Sequence, residues 1–386
     1  MQFNLPKNVL FILNTLENNR HKAYIVGGCV RDLLMGKTPH DFDITTSALP
    51  NQIKSYFEHT ADTGIKHGTV TVIIDNQNFE VTTFRTESGY DNFRSPQNVE
   101  FVSDVEDDLS RRDFTVNAIC LDKDGNLIDK FGGIEDIKNR TLKAVGNADE
   151  RFFEDALRIM RLFRFSATLG FEIESDTKAA ALKHITLLKK ISVERIFEEL
   201  QKSLLGTNLN PVFELINSGA LSFLGIEKCK GNEKIKNLRS ENLHLYAFLK
   251  DCNCDSSVLK QLKASNATIN YFNAIDSINL IASSSKADVK YVLKHYNFDI
   301  ISDYIEYKFI IQNNDYTNLF KFLFEIKSNK EPYTISHLNI DGDDLKALGF
   351  EGEKIGKILN LLLDLVIENP EKNEKNILID MAKKLS

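Results

Sequence analysis

The chain has 386 residues, of which 42% are hydrophobic, and a net charge of −7. This length is too great for one ordinary domain and predicts two to four. The negative charge excludes a protein that is basic overall and binds nucleic acid indiscriminately, although a local basic surface remains compatible with it. Because we find no signal peptide and no apolar run of membrane-spanning length, we expect a cytoplasmic protein with no membrane partner.

The first part of the chain, to about residue 140, mixes strand and helix patterns. Apolar residues recur at helical spacing from Phe3 to Asn19, and residues 23–26 form a short apolar run that predicts a buried strand. Two β-branched runs, 69–74 and 79–84, predict a hairpin. A further strand is predicted over 117–121. These elements indicate an α+β fold, in which a mixed sheet is combined with helices.

From about Asp149 onward the pattern changes to helices. Apolar residues recur with a spacing close to 3.6 residues almost to the end of the chain, and isolated glycines mark turns between helices. We find no internal repeat and no low-complexity segment. The sequence therefore predicts an α+β head followed by an all-α remainder.

A glycine pair, Gly27-Gly28, precedes two alternating acids, Asp41 and Asp43. In a strand, residues i and i+2 face the same side, so we expect the two carboxylates to converge. Such carboxylates repel each other unless a cation or a proton relieves them, and oxygen ligands of this kind suit Mg²⁺ together with substrate phosphates. The pattern predicts a metal site for phosphoryl or nucleotidyl transfer. The glycine pair alone is also compatible with an ordinary tight turn.

Further polar residues around this site are candidates for catalysis and nucleotide binding. Backbone N–H groups at Gly28, with Arg31 as a charged partner, are suited to hold a phosphate. Glu80 interrupts an apolar strand and is a candidate third carboxylate, although an outward-facing glutamate explains it equally well. Arg112 and Asp113 offer a fork for phosphate or ribose and an acceptor for a hydroxyl. A capped helix end before a strand does not explain this pair.

An acid and three arginines recur every three residues along a helix predicted over 154–164. They are Asp155, Arg158, Arg161 and Arg164. Residues at this spacing form a row on one face, and three neighbouring arginines repel one another. A salt-bridged surface helix is therefore a strained explanation, and we expect an anionic group beside Arg161 and Arg164.

The pair Asp155 and Arg158 permits a hypothesis about base selection. A carboxylate only accepts hydrogen bonds and a guanidinium only donates them. Cytosine and adenine each present an amino donor beside a ring-nitrogen acceptor, whereas uracil and guanine present a carbonyl and an N–H there. A mismatched buried pair costs a few kcal/mol. The pair would therefore accept C and A without a nucleic-acid template.

Taken together and in this order, these motifs resemble the class II tRNA nucleotidyltransferases, the CCA-adding enzymes of bacteria, in the polymerase-β-like nucleotidyltransferase superfamily. The matching stretches are Gly27-Gly28-x-x-Arg31-Asp32, Asp41-x-Asp43, Arg111-Arg112-Asp113-Phe114-x-x-Asn117-Ala118, Gly132-Gly133-Ile134-x-Asp136, Glu154-Asp155-x-x-Arg158, Ser192-x-x-Arg195-Ile196-x-Glu198 and 340–349. The resemblance implies a catalytic head over 1–140 and a helical neck over 141–206 that reads the base. It also implies a helical body over 207–320 and a helical tail over 321–386 that binds tRNA.

The resemblance also implies the role of each motif in adding CCA to the 3′ end of tRNA from CTP and ATP, with release of pyrophosphate. Asp41 and Asp43 would hold Mg²⁺. The nucleotide would be bound at its phosphates by Gly28, Arg31, Arg161 and Arg164, at its ribose by Arg112 and Asp113, and at its base by Asp155 and Arg158. The implied partners are tRNA, CTP and ATP.

Related activities remain open at this stage. In relatives the loop over 86–96 often carries Arg-Arg-Pro, whereas this chain has Arg94-Ser95-Pro96. The loop favours complete CCA addition, and its serine leaves CC-adding or A-adding enzymes as alternatives. Poly(A) polymerases are related too, although the stretch over 63–70 looks more like the CCA-adding form. An inactive descendant that only binds tRNA would not need all the acids and arginines named above. The sequence does not predict an oligomeric state.

Overall fold

The computed structural model of the protein describes residues 3–91 and 95–385. The chain divides into two compact units, Met1–Gly231 and Asn232–Ser386. The division into head, neck, body and tail is finer than this and stays a prediction. Arg94, on which the comparison of the 86–96 loop depends, lies outside the described residues.

The first unit contains a mixed sheet with helices and then a run of helices. Its elements are α1 (Lys7–Asn18), β1 (Ala23–Val26), α2 (Gly28–Leu34), β2 (Ile44–Thr46), α3 (Pro50–Tyr56), β3 (Thr60–Gly64), β4 (Thr69–Ile74), β5 (Gln77–Thr83), β6 (Arg85–Asp91), β7 (Ser95–Phe101), α4 (Val105–Ser110), β8 (Cys120–Leu121), β9 (Leu127–Ile128), α5 (Gly133–Asn139), β10 (Thr141–Leu142), α6 (Ala148–Glu154), α7 (Leu157–Leu169), β11 (Glu172–Ile173), α8 (Ser175–Lys183), α9 (Val193–Leu204) and α10 (Asn210–Asn217). The predicted α+β head is confirmed.

The main sheet of this unit has seven strands in the order β3-β4-β5-β2-β1-β8-β9. Strands β2 and β5 run parallel, with Ile44 opposite Val81, and the other neighbours are antiparallel. Strand β2 is the middle strand and β1 is its neighbour; Ile25 of β1 is fully buried, and the apolar face of α1 packs on the same core. The ends of β1 and β2 therefore lie next to each other in the middle of the sheet.

The predicted hairpin is present and has a two-residue turn. Strands β4 and β5 pair from Thr69 opposite Thr82 to Ile74 opposite Gln77. The turn residue Asp75 has a φ of 52°, and the next turn residue has a positive φ as well. Asx residues tolerate this left-handed region, which matches the twist of a tight hairpin.

Three local predictions need correction. The alternating acids do not lie within a strand, because β2 begins one residue after Asp43. Asn117 does not begin a strand but ends a short 3-10 turn, and β8 follows it at Cys120. The helix predicted over 154–164 is interrupted at Asp155, where α6 has ended and α7 has not begun. The side chain of Asp155 accepts a hydrogen bond from the Leu157 backbone N at 3.0 Å, which starts α7 anew.

The second unit is helical over its described residues. Its helices are α11 (Glu241–Asp251), α12 (Ser257–Gln261), α13 (Asn266–Ser277), α14 (Lys286–Leu293), α15 (Phe298–Ile310), α16 (Thr317–Ser328), α17 (Gly342–Ala347), α18 (Glu353–Glu368) and α19 (Lys375–Lys384). One face of α18, with Leu362, Leu363 and Val366, forms the centre of an apolar cluster near the end of the chain. The predicted helical remainder is confirmed, except that the short strand β11 lies within it and pairs with β10. Among the described helices, none has the length and apolar character that crossing a membrane requires.

Candidate active site

The two alternating acids lie beside the central strand of the sheet. The backbone O of Asp43 accepts a hydrogen bond from Val26 N at 3.0 Å, which holds the acid next to the end of β1. Both Asp41 and Asp43 are exposed, so their carboxylates are accessible to a ligand. The glycine that follows Val26 therefore comes close to the acids in space as well as in sequence.

The carboxyl of Asp43 has an unusual environment. Its pKa is raised to about 6, chiefly because surrounding protein replaces part of its water, and further because Asp41 and Glu80 are negative. The guanidinium of Arg112 opposes this effect. Solvent still reaches this residue, which is exposed. A cation bound to the acids would relieve their repulsion.

The position of Glu80 follows from the strand register. Ile44 lies opposite Val81, so the residues before them, Asp43 and Glu80, are neighbours along the parallel pair. The side chain of Glu80 is exposed. Among residues 3–91 and 95–385, no three His, Cys, Asp or Glu side chains are close enough together to hold a metal ion. A role for Glu80 as a third carboxylate therefore stays a prediction.

Gly27 is the glycine that this site requires. Its φ is 84°, and a Cβ atom placed on it would lie 3.1 Å from Nη1 of Arg112 and 4.0 Å from Oδ2 of Asp43. At Gly28 a Cβ would lie 3.5 Å from Nη2 of Arg31, an ordinary contact. The close approach of the backbone to the Arg112 guanidinium therefore depends on Gly27. The sequence pattern predicts the ligand contact at Gly28 instead.

Arg112 lies between the acids and a buried counter-ion. Its Nη2 is 3.4 Å from Oδ2 of Asp108, which is fully buried. Burial lowers the pKa of Arg112, but Asp108, Cys120 and Asp43 outweigh it and raise this pKa overall. Its Nε is buried and has no hydrogen-bond partner among the described residues. The guanidinium is thus held through Nη2, and its Nε–H has no acceptor among the described residues.

Asp113 is surrounded by donors from the protein. Its Oδ1 accepts from the backbone N of Phe114 at 2.8 Å and from Nδ2 of Asn117 at 3.2 Å. Its Oδ2 accepts from Nε and Nη2 of Arg161 at 2.9 and 2.6 Å. Although burial alone would raise its pKa, these partners lower the pKa of Asp113 to about 2. Asp113 is therefore ionised and fully hydrogen-bonded within the protein.

The anionic groups expected beside the arginine row are carboxylates of this chain. Asp113 pairs with Arg161, and Oε2 of Glu199 accepts from Nε of Arg164 at 2.6 Å. Glu199 projects from α9, is buried, and was not identified from the sequence. Both arginines also lie near the ring of Phe165, with Cζ atoms 5.2 and 4.0 Å from its centroid. A cation beside an aromatic face is stabilised by the ring quadrupole.

Arg31 joins the same group of charges from α2. Its Nη1 donates to Oδ1 of Asn117 at 2.7 Å, and Nε and Nη2 donate to Oδ1 of Asp32 at 3.0 and 2.8 Å. Its Cζ lies 5.4 Å from the centroid of Phe165. Three guanidiniums, those of Arg31, Arg161 and Arg164, thus surround one aromatic ring. The structure brings together these three sequence-predicted phosphate contacts.

Arg158 and Asp155, the predicted base-reading residues, have different side-chain partners within the protein. Nη1 of Arg158 donates to Oε2 of Glu154 at 2.8 Å, and Nη2 donates to the backbone O of Arg111 at 2.7 Å. Oδ2 of Asp155 is 3.4 Å from Nη2 of Arg195 on α9, whose Nη1 is buried without a partner among the described residues. The contact seen between Asp155 and Arg158 is between backbone atoms, Arg158 N to Asp155 O at 3.0 Å.

The glycine motif over 132–136 supports the Asp113 segment rather than a ligand. A Cβ on Gly133 would lie 2.1 Å from the backbone O of Thr115, so only glycine fits. Oδ2 of Asp136 accepts from the Thr115 hydroxyl at 2.6 Å. Helix α5 thereby holds the turn that carries Asn117. The sequence signal for this supporting role is the glycine at position 133 itself, because any side chain there would overlap the Thr115 backbone.

Two family models match parts of the first unit. Residues 23–143 match the model described as "Poly A polymerase head domain". Residues 170–224 match the one described as "Probable RNA and SrmB- binding site of polymerase A". The first match covers the sheet with the acids, Arg112 and Asp113. The head is therefore of a type whose description names poly(A) polymerases.

Whole-length relatives identify the family more closely. The chain is 37% identical over 390 residues to a CCA-adding enzyme of Lactococcus lactis subsp. lactis, with coverage of 97% of this chain and 96% of the relative. It is 39% identical over 408 residues to the one of Ligilactobacillus salivarius, with coverage of 99% and 98%. The solved Bacillus stearothermophilus CCA-adding enzyme in complex with CTP has a TM-score of 0.80 and 30% identity, covering 97% of this chain and 96% of that one. The chain belongs to the family of CCA-adding enzymes.

Proposed function

We propose that the protein adds CCA to the 3′ end of tRNA from CTP and ATP, without a nucleic-acid template and with release of pyrophosphate. Relatives named CCA-adding enzymes match over nearly the whole chain, which supports this activity over that of an unrelated nucleotidyltransferase. We also propose that it works in the cytoplasm, and that the helical regions after residue 206 form a body and a tRNA-binding tail.

The juxtaposition of Gly27, Asp43 and Arg112 carries this proposal. The tight backbone approach at Gly27 places a guanidinium beside a carboxylate that is exposed and electrostatically unfavourable. A purely structural acid would be expected to have an internal partner that lowers its pKa, as Asp108 has in Arg111. A residue whose pKa is perturbed by burial and by specific charged neighbours is a candidate for function.

The donor set fits a hard divalent cation, and we propose Mg²⁺. Asp41 and Asp43 supply exposed carboxylate oxygens, and Mg²⁺ typically takes one or two carboxylates together with substrate phosphates. When bound there, the metal would polarise the α-phosphate and favour attack by the tRNA 3′-hydroxyl. The two acids leave room for phosphate oxygens, which agrees with the absence of a complete protein cage among the described residues.

The arginine group is suited to the triphosphate. Arg161 and Arg164 lie side by side on α7, and each still has at least one terminal nitrogen without a hydrogen-bond partner among the described residues. Guanidinium groups bind phosphate oxygens through charge-assisted hydrogen bonds. Arg31 is more fully engaged within the protein, so we propose that it stabilises the turn after Gly28 and contributes its charge.

We propose that the sugar and the base are bound by the remaining residues. Arg112 and Asp113 would contact the ribose, and Asp155 with Arg158 would read an amino group beside a ring nitrogen. Arg158 is pinned at both terminal nitrogens, so it is a rigid donor rather than a mobile one. Base selection by fixed side chains explains how C and A could be chosen without a template.

The proposed activity is tested with three tRNA transcripts. One lacks the whole CCA end, one lacks the last two nucleotides, and one lacks only the final A. Each is incubated with CTP alone, ATP alone, or both, and the product lengths are read on a gel. Extension of all three to the complete end confirms CCA addition. Arrest after two cytidines, addition of only one A, or long A tracts would instead identify a CC-adding enzyme, an A-adding enzyme or a poly(A) polymerase.

A further inference from the structure

We infer that Glu199 is a positioning residue for triphosphate recognition. Its carboxylate holds Arg164 at Nε, so that the outer edge of the guanidinium, Nη1 and Nη2, faces the ligand. This inference rests on the proposed function, because it takes Arg164 to be a phosphate contact. It adds to the site a residue that lies on a different helix from all the proposed nucleotide contacts.

The geometry of the contact carries the inference. Oε2 of Glu199 accepts from Nε of Arg164 at 2.6 Å, a short charge-assisted hydrogen bond. No hydrogen bond from Nη1 or Nη2 of Arg164 to another described residue accompanies it. Oε1 of Glu199 lies 4.0 Å from Nη1 of Arg161. One carboxylate therefore fixes the first arginine and lies beside the second.

The position of Glu199 is itself rigid. The residue is 6% exposed, and helices α7 and α9 pack closely against each other. A Cβ on Gly206 would lie 2.6 Å from the backbone O of Ala167, so the backbones nearly touch just beyond the end of α9. Phe165 covers the other side of Arg164, with its ring centroid 4.0 Å from Cζ. The guanidinium is thus confined by a carboxylate and a ring before any ligand arrives.

This confinement should strengthen nucleotide binding. A free arginine loses rotamer freedom when it binds a phosphate, and an arginine that is already ordered loses less. The negative charge of Glu199 acts in the opposite direction and weakens binding, because it repels the triphosphate and attracts the same guanidinium. The open outer edge of Arg164 favours the first effect, since phosphate can bind there without displacing the carboxylate.

The experiment measures equilibrium binding of radiolabelled CTP to the full-length protein by dialysis. We expect Glu199→Ala to raise the Kd about 2- to 10-fold, the range for releasing one ordered side chain. Glu199→Gln should have a smaller effect, because its amide oxygen still accepts from Nε. Glu198→Gln is the matched control, since this neighbour is exposed and pairs with Lys202 at 2.6 Å. Its Kd should equal that of the wild type.

A double-mutant cycle separates positioning from general support of the fold. In an Arg164→Ala background, adding Glu199→Ala should leave the Kd unchanged, because the residue to be positioned is gone. An equal loss in both backgrounds, or binding by Glu199→Ala that stays within twofold of the wild type or becomes tighter, overturns the inference. Should Glu199→Ala fail to fold in a thermal-unfolding check, Glu199→Leu, which fills a similar volume and has no acceptor for Nε, takes its place in the cycle. A wild-type protein that binds no CTP would instead refute the proposed function.

Discussion

The two ends of the candidate site differ in how their charges are satisfied. At the acid end, Asp41 and Asp43 are exposed, and the pKa of Asp43 is raised to about 6 by partial burial and like charge. At the arginine end, Arg161 and Arg164 are paired with Asp113 and Glu199 of the same chain. The first end needs an external cation, whereas the charges of the second end are already neutralised by partners within the chain.

This difference predicts which residues lower the stability of the fold for the sake of function and which residues stabilise it. A carboxylate held against repulsion destabilises the folded state and is retained only if a ligand uses it. A buried, hydrogen-bonded ion pair loses several kcal/mol when one partner is removed, on the order of 3 to 5. Substitutions at the acid end should therefore remove activity and leave stability intact. Substitutions at the arginine end should affect both.

The largest expected effect is at the acid end. Asp43→Asn should lower the rate of CTP incorporation on the order of 1000-fold, because a metal contributes several kcal/mol to such a reaction. Its melting temperature in metal-free buffer should equal or exceed that of the wild type, since a repelled charge is gone. Incorporation assays and calorimetry measure the two quantities. A variant that keeps its rate, or that loses both activity and stability, contradicts the contrast between the two ends.

The next effect concerns base selection. Asp155→Ala should reduce the preference for CTP and ATP over UTP and GTP by about 100-fold, the value of one buried hydrogen bond that is correctly paired. Competition assays with all four nucleotides measure it. Full retention of the preference would refute the hypothesis that Asp155 reads the amino group. Asp149→Ala is the comparison variant, because Asp149 is a half-buried acid on α6 that pairs with Lys183 and His184 and has no proposed contact with the nucleotide.

Two glycine-to-alanine variants, at Gly27 and Gly36, test whether the close approach of the backbone to Arg112 matters for activity. Gly27→Ala combines a strained φ of 84° with a Cβ 3.1 Å from a guanidinium nitrogen, so we expect a roughly 10-fold loss of kcat/KM. Gly36→Ala has a similar φ, 72°, but no atom within 4 Å of its Cβ. It should lose about 1 kcal/mol of stability and keep its activity. Equal activities in the two variants would argue against a functional approach at Gly27.

The last prediction concerns stability rather than rate, and is a pH dependence at the arginine end. The folded pKa of Asp113 is lowered to about 2, so its contribution is complete above the unfolded value of about 3.9 and is lost as pH falls toward 2. Asp113→Asn should therefore be less stable than the wild type by about 2 kcal/mol at pH 6, with the difference shrinking below pH 4. Denaturant titrations at several pH values measure it. A difference that is independent of pH would mean that the charge of Asp113 is not stabilising.

Local patterns predicted much of the fold. The two β-branched runs, 69–74 and 79–84, and the turn residues between them lie in one short stretch, as does the apolar run before Gly27. Such signals depend on neighbours in the sequence and survive in the folded chain. The change to helices near Asp149 was readable for the same reason, since apolar spacing persists over many turns.

The internal partners of the site could not be read in this way. Glu199 lies 35 residues from Arg164, and only the packing of α9 on α7 brings them together. Asp108 lies within α4, and only the folded structure shows that it is the buried counter-ion of Arg111 and Arg112. Tertiary contacts between carboxylates and guanidiniums leave no periodic trace in a sequence, so the arginine row predicts an anionic group but does not identify Asp113 and Glu199 as its partners.

The four donors around Asp113 have a consequence at equilibrium. A carboxylate has about four acceptor sites, and here Phe114, Asn117 and Arg161 use all of them. A ribose hydroxyl can then bind Oδ2 of Asp113 only if a hydrogen bond from Arg161 is broken. Breaking it costs little only if Arg161 binds another anion instead. If the triphosphate is that anion, the sugar and the phosphates are thermodynamically linked, so each increases affinity for the other by the same factor. The pocket would then favour an intact nucleoside triphosphate over either pyrophosphate or a nucleoside alone.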